Sequence, residues 1–159
     1  MISVREVQAK EEQVLGNLLQ KYLYEMSPYF HDEIDADGNY PYRDLPLYFT
    51  EADRRAYFIY DDDQIIGFAL INAFSLTDEP MDNCIAEFTI FPVYRSKGKG
   101  FDAVDALVKL RSGKWQLKYV TMNQPAERFW NKVKERYNGR MFPMSRYGRI
   151  IEFEADSDQ

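Results

Sequence analysis

Ile90-Phe91-Pro92-Val93-Tyr94-Arg95-Ser96-Lys97-Gly98-Lys99-Gly100-Phe101 is the stretch whose reading decides the fold. A hydrophobic strand runs into a proline, a turn with two glycines follows, and an amphipathic helix begins. The N-terminus of a helix exposes unbonded N–H groups and the positive end of the helix dipole. Gly98 and Gly100 let the backbone turn tightly and approach a ligand. Arg95, Lys97 and Lys99 add positive charge at the same place. The combination predicts a pyrophosphate-sized anion seated on the amides of the loop. A plain strand-to-helix joint with solvated lysines fits the same residues. No Gly-Lys-Ser/Thr ends the turn, so it is not a Walker loop. The third glycine of a dinucleotide fingerprint is missing, and Asp102 and Asp105 follow instead.

Working outward, Cys84 to Phe91 forms the strand that feeds this turn, and Phe101 to Arg111 the helix that leaves it, with Phe101, Val104, Leu107, Val108 and Leu110 on helical spacing. Ile2 to Val7 reads as a first strand and Glu11 to Met26 as a helix. Ser27 to Pro46 is rich in Pro, Gly, Asp and Tyr and reads as loop, with a short helix near Leu47 to Arg55. Ala56 to Tyr60 and Gln64 to Phe74 form a hairpin across Asp61-Asp62-Asp63. Trp115 to Thr121 is a strand, Pro125 to Tyr137 a helix, and Arg149 to Phe153 a last strand. The order β-α-β-β-β-α-β-α-β implies a mixed sheet covered by helices, an α/β (α+β) architecture. One domain over 1–154 suits the length of 159 residues, and the polar tail from Glu154, with 155–159 outside the domain, is expected to fray.

These residues resemble the GNAT superfamily of N-acetyltransferases. Arg95-Ser96-Lys97-Gly98-Lys99-Gly100 matches the Arg/Gln-x-x-Gly-x-Gly/Ala signature, and Asn123-Gln124-Pro125-Ala126-Glu127-Arg128-Phe129-Trp130 resembles the second segment, Asn-x-x-Ala-x-x-Phe followed by an aromatic. The Glu87-Phe88-Thr89-Ile90 strand and the Phe129-Trp130 pair are similar to a bacterial-type branch of acetyltransferases. The resemblance implies a mostly antiparallel central sheet, helices on both faces, and a splay between the fourth and fifth strands. It implies acetyl-CoA as cofactor. Backbone groups of Ile90 and Phe91 would pair with the pantetheine arm. Amides from Ser96 to Phe101 would hold the pyrophosphate, with Arg95, Lys97 and Lys99 beside it. Asn123 would hydrogen-bond the arm, and Ala126 and Phe129 would line it.

The implied reaction moves an acetyl or acyl group directly to a primary amine of a small molecule or an exposed amino group. A base must take the amine proton, and Glu87, a carboxylate inside an apolar strand, has the surroundings that raise a pKa toward neutrality. A structural glutamate paired with an arginine is the plainer alternative. Many members of the superfamily place a tyrosine after the second segment's apolar residue, and this chain has Trp130 there, whose indole is no acid. The general acid stays open, since Tyr119 and Tyr137 do not match that position. A CoA-binding sensor or interaction module without turnover is the alternative that Trp130 favours. Ser27 to Asp44 holds Asp32, Glu33, Asp35, Asp37 and Asp44 with Tyr29, Tyr40 and Tyr42, groups that attract a cationic amine. It reads as an acceptor-binding lid, with Tyr29, Asp32 and Glu33 as its substrate-facing residues.

Composition bounds the rest. Apolar residues make up 45% and aromatics 16%, too many for a disordered chain. One cysteine, Cys84, and one histidine, His31, exclude a disulfide framework and a multi-histidine metal site. Glu33-x-Asp35-x-Asp37-Gly38 with Asp44 is a poor match to a calcium loop, so no metal is expected. The formal charge of −6 is uneven: residues 1–94 carry 6 basic and 18 acidic side chains, and residues 95–140 carry 12 and 4. The basic stretch lacks the aromatic pattern of RNA binders. No signal peptide or membrane span is read, so a cytoplasmic protein without nucleic-acid or membrane partners is expected. The resemblance implies a small-molecule or peptide amine as acceptor, and a homodimer is left open.

Overall fold

The computed structural model describes residues 1–156. One seven-stranded sheet runs through it: β1 Ile2–Glu6, β2 Arg55–Asp61, β3 Gln64–Asn72, β4 Asn83–Ile90, β5 Gly113–Val120, β6 Arg140–Pro143 and β7 Gly148–Ala155. Their spatial order is β1-β2-β3-β4-β5-β7-β6. Every neighbouring pair is antiparallel except β4 with β5. Three helices, α1 Glu12–Phe30, α2 Lys99–Leu110 and α3 Gln124–Arg136, cover the sheet. α1 buries Leu15, Leu19, Tyr22 and Leu23 on one face, against Phe58, Phe68 and Leu70. α2 and α3 bury Val104, Leu107, Val108, Trp130 and Val133 on the other, against Ile85, Trp115, Leu117 and Ile151. Period-2 strands and period-3.6 helices dictate this layering, because each apolar face must be covered.

The parallel pair is short. Asn83, Cys84 and Ile85 pair with Trp115, Gln116 and Leu117, and there the contact stops. β4 continues beside β3 to Ile90, and β5 continues beside β7 to Val120. The two strands therefore splay at their C-terminal ends, as the sequence resemblance implied. A bulge marks the point of divergence: the β3–β4 register passes from Ile71 opposite Ile85 to Leu70 opposite Glu87, leaving Ala86 extra. A bulge flips the facing of everything beyond it. Ile85 enters the core under α2 and α3, and Glu87, two residues on, faces α1 instead.

Four local expectations are corrected. α1 does not end before Ser27 but runs through Pro28 to Phe30. Pro28 cannot donate to the Tyr24 carbonyl, and the Ser27 hydroxyl does so at 2.7 Å. The turn near Leu47 is a short 3-10 turn, Leu45–Phe49, rather than a helix reaching Arg55. β6 is an addition to the expected strands, since four residues ending in a proline on an edge carry no readable alternation. β7 extends to Ala155, which pairs with Gly113 and is buried, so the polar tail does not fray at Glu154. Residues 157–159 of that tail lie outside the described residues.

Candidate active site

At the mouth of the splay, β4 passes through Phe91 and a short turn, Pro92–Tyr94, into the glycine loop. Ser96 (φ 70°) and Gly98 (φ 74°) adopt the left-handed conformation, and Gly98 serves as N-cap of α2 without a side-chain cap. Gly98 meets open space, so its backbone conformation is what requires glycine. Gly100 has a different reason. A Cβ there would lie 2.7 Å from the Phe129 ring, so this glycine lets α3 pack against the start of α2. Among the described residues, no protein acceptor takes the N–H of Ser96, Lys97, Gly98, Lys99, Gly100 or Phe101. Six consecutive amides are thus without a protein acceptor, the backbone arrangement by which helix N-termini can bind anions.

Two of the three cations expected around that anion are committed elsewhere. The Arg95 guanidinium makes a bidentate pair with Glu25 of α1 at 2.7 and 2.7 Å, and its Nε donates to the Ile90 carbonyl at 2.6 Å. Lys99 Nζ lies 2.9 Å from the Asp61 carboxylate and over the Tyr94 ring. Lys97 is exposed on the loop.

The ladder groups of the gap follow from register. Phe91 N–H donates to the Ile66 carbonyl at 2.8 Å, and the Phe91 carbonyl accepts from Tyr94 N–H. Phe91 is therefore spent within the protein, contrary to its expected pairing with the arm. Alternation along an antiparallel ladder then turns the backbone of Phe88 and Ile90 away from β3 and into the gap. On the opposite wall, Thr121 N–H bonds the Tyr147 carbonyl, and the same alternation turns Lys118 into the gap. Asn123 caps α3, accepting from Ala126 N–H at 3.2 Å, and its amide leans on the Met26 sulfur at 3.7 Å. Ala126 and Phe129 are half-buried, and Phe129 stacks on Phe88 with ring centres 5.7 Å apart and touches Phe101.

Glu87 stands on the α1 side of the gap. Its two carboxylate oxygens accept from Tyr22 Oη at 3.0 Å and Tyr42 Oη at 2.8 Å. Burial raises its pKa, while the two hydroxyls and the positive Lys118 hold the rise back and Asp32 adds to it. Burial and the Glu87 charge push both tyrosines up, so they remain hydroxyl donors. Among the described residues no arginine pairs with Glu87, whose partners are the two tyrosines instead. Tyr22 and Tyr42 come from segments 65 and 45 residues away, and the tyrosine richness of Ser27 to Asp44 signalled only Tyr42.

The segment 31–44 is fixed rather than free. Gln20 bonds both the N–H and the carbonyl of Tyr40 at 2.7 Å, and Asp35 accepts from Asp37 and Asn39 N–H. Asp32 and Glu33 are exposed and Tyr29, in the last turn of α1, is half-buried. Asp32 lies close enough to affect Glu87, but neither Glu33 nor Tyr29 makes a side-chain hydrogen bond to the site. The Tyr119 hydroxyl accepts from Asn131 and points at Met141, and Tyr137 bonds Asp105, both on the α3 side. A cavity of about 650 Å³ opens between β1 and α2, away from this gap.

The acetyltransferase (GNAT) family model matches residues 18–134. The chain belongs to this family. With the membership comes acetyl-CoA-dependent N-acetyl transfer. No curated protein matches the chain in sequence. Similar solved structures include an acetyltransferase from Thermus thermophilus, 15% identical, covering 97% of each chain with a TM-score of 0.68. The PaiA N-acetyltransferase of Thermoplasma acidophilum in complex with coenzyme A is 11% identical, covers 97% of this chain and 99% of its own, and has a TM-score of 0.64. Arabidopsis thaliana NAA60 in complex with acetyl-CoA is 12% identical over 96% and 97%, with a TM-score of 0.59. At these identities the likeness is one of fold. Among the described residues no helix is long and apolar enough to cross a membrane.

Proposed function

We propose that this GNAT member transfers an acetyl group to a primary amine that approaches from the α1 face, with Glu87 as the base. The observation that carries the proposal is the pairing of six open loop amides with a half-buried carboxylate across one splay. The amides of Ser96 to Phe101 hold the diphosphate, and the backbone of Phe88 pairs with the pantetheine arm, the Ile90 carbonyl being taken by Arg95 Nε. Asn123, Ala126 and Phe129 close the α3 side. When bound, acetyl-CoA supplies the acyl group as a thioester, whose thiolate leaving group needs no strong acid. Glu87 takes the amine proton, directly or through one water, on a lone pair that the tyrosine hydroxyls leave free. The Ile90 N–H faces the gap, where a preorganised donor favours developing negative charge. Trp130 packs against Phe88 and Phe129, which supports a structural part for it rather than acid catalysis.

The acceptor is a primary amine on a small molecule or at an exposed peptide position, drawn by Asp32 and the Glu87 charge, with Tyr29 and Glu33 on the rim. The test pairs two measurements. CoA at 100 times its dissociation constant stabilises the protein by about 2.7 kcal/mol, read as a melting shift. Thiol release from acetyl-CoA with a panel of amines then reports turnover. CoA binding with no thiol release for any amine leaves a binding module without catalysis and overturns the proposal.

A further inference from the structure

The anion loop has little of its own to hold it. Ser96 carries a Cβ in the left-handed region, and its neighbours Lys97 and Gly98 donate no N–H within the protein. Backbone bonds fix only the two ends: Arg95 N–H to the Pro92 carbonyl on one side, Asp102 N–H to the Gly98 carbonyl on the other. The remaining restraint at the strand end is the Arg95 side chain. Besides its pair with Glu25 and its bond to the Ile90 carbonyl, it donates to Thr89 Oγ1 at 3.3 Å. Four donated bonds leave one guanidinium N–H, and a bidentate carboxylate already neutralises the charge.

Glu25 does not stand alone on α1. Tyr22, Glu25 and Met26 sit three and four residues apart, the spacing of one helix face. Tyr22 reaches Glu87, Glu25 reaches Arg95 and Met26 meets Asn123. One turn of α1 thus touches the base, the anion loop and the start of α3.

We infer that Arg95 is a positioning residue that, with Glu25, latches the loop to α1 and does not itself contact the anion. This rests on the reading that the loop takes the diphosphate of CoA. The latch keeps the end of β4 and the entry to the turn in one register, so the open amides point outward before a ligand arrives. Arg95 thereby lowers the ordering cost of binding without adding attraction.

The two roles separate by sign. CoA dissociation constants are measured by calorimetry for the wild type, Arg95→Gln, Glu25→Gln and the double variant. A latch makes each single change weaken binding by about 5- to 10-fold, with the double no weaker than either single. An Arg95 that contacted the diphosphate would be released by Glu25→Gln, so that variant would bind as well as the wild type or better. That outcome overturns the inference. Arg95→Lys should not rescue, because one ammonium cannot serve Ile90 and both Glu25 oxygens. A second readout uses no ligand: tryptic cleavage after Lys97 should speed up several-fold in both single variants while their melting temperatures stay near the wild type. Unchanged cleavage in both would also sink the latch. If the wild type does not bind CoA, the functional reading fails, and the cleavage rates still decide the latch.

Discussion

The two walls of the gap are built on different principles. On the cofactor side, the loop from Arg95 to Phe101 offers backbone amides, and one short run of sequence makes it. On the acceptor side, Glu87 is set by side chains from α1 and the 31–44 segment, brought together across 65 and 45 residues. A backbone site tolerates change in its side chains and is sensitive to anything that alters its conformation. A side-chain site is the reverse. The two walls should therefore fail in different ways when mutated.

The largest effect is expected at Glu87. Glu87→Gln keeps the shape and one accepted tyrosine bond, turns the other oxygen into a donating NH2 and removes the base, so kcat should fall by about 10²–10⁴-fold. CoA affinity should hardly move, because none of the six amides is touched. Single-turnover acetyl transfer and CoA calorimetry on the same variant check this. A parallel loss of CoA binding would erase the distinction between the walls.

Gly100→Val attacks the other wall. Its Cβ would meet the Phe129 ring at 2.7 Å, so α3 must shift away from the first turn of α2. Overpacking of this kind costs about 1–3 kcal/mol and disturbs Gly100 and Phe101, two of the six amides. Melting temperature and CoA affinity should both drop, seen by calorimetry with and without CoA. Stable protein with unchanged CoA affinity would show that the amides do not depend on this packing.

How far each wall was legible in the sequence follows from the same contrast. The strand, proline, Gly98 and Gly100 lie within twelve residues, and hydrophobic periodicity placed α2, α3 and the central strands around them. The role of Arg95 was not legible: its motif position suggests charge for a phosphate, but its partner Glu25 is 70 residues away. Glu87 stood out as a charge in an apolar strand, whereas its tyrosine partners could not be assigned without the fold. Nor could the bulge at Ala86, which decides which face Glu87 takes, since the one-residue slip is hidden in a strand that is apolar on both faces. The last turn of α1 was hidden by Pro28, whose missing donor Ser27 replaces.

The tyrosines give a prediction with a definite sign. Hydrogen bonds from Tyr22 and Tyr42 favour the charged form of Glu87 and oppose the rise caused by burial. Tyr42→Phe removes one of them, so the Glu87 pKa should rise further. A base acts deprotonated, and the acid limb of kcat/KM should then move to higher pH. The shift is read from rate profiles, with Tyr22→Phe moving the limb in the same direction. A limb that moves to lower pH, or does not move, would mean that another group sets it.

The smallest effect belongs to Lys97. It is exposed on the loop, and no ion pair within 4.0 Å involves it among the described residues. If the amides carry the binding, Lys97→Ala removes only a screened, solvated charge. CoA affinity should fall by about 2- to 3-fold at low ionic strength, and the difference should shrink toward nothing near 1 M salt, where the screening length is about 3 Å. Gly98→Val, one residue on, keeps every charge and strains the φ of 74° that presents the amides, so it should weaken CoA more than Lys97→Ala does at any salt. If calorimetry over a salt series ranks the two variants the other way, with Lys97 worth tenfold or more, side-chain charge and not backbone holds the anion, and both walls would then be built alike.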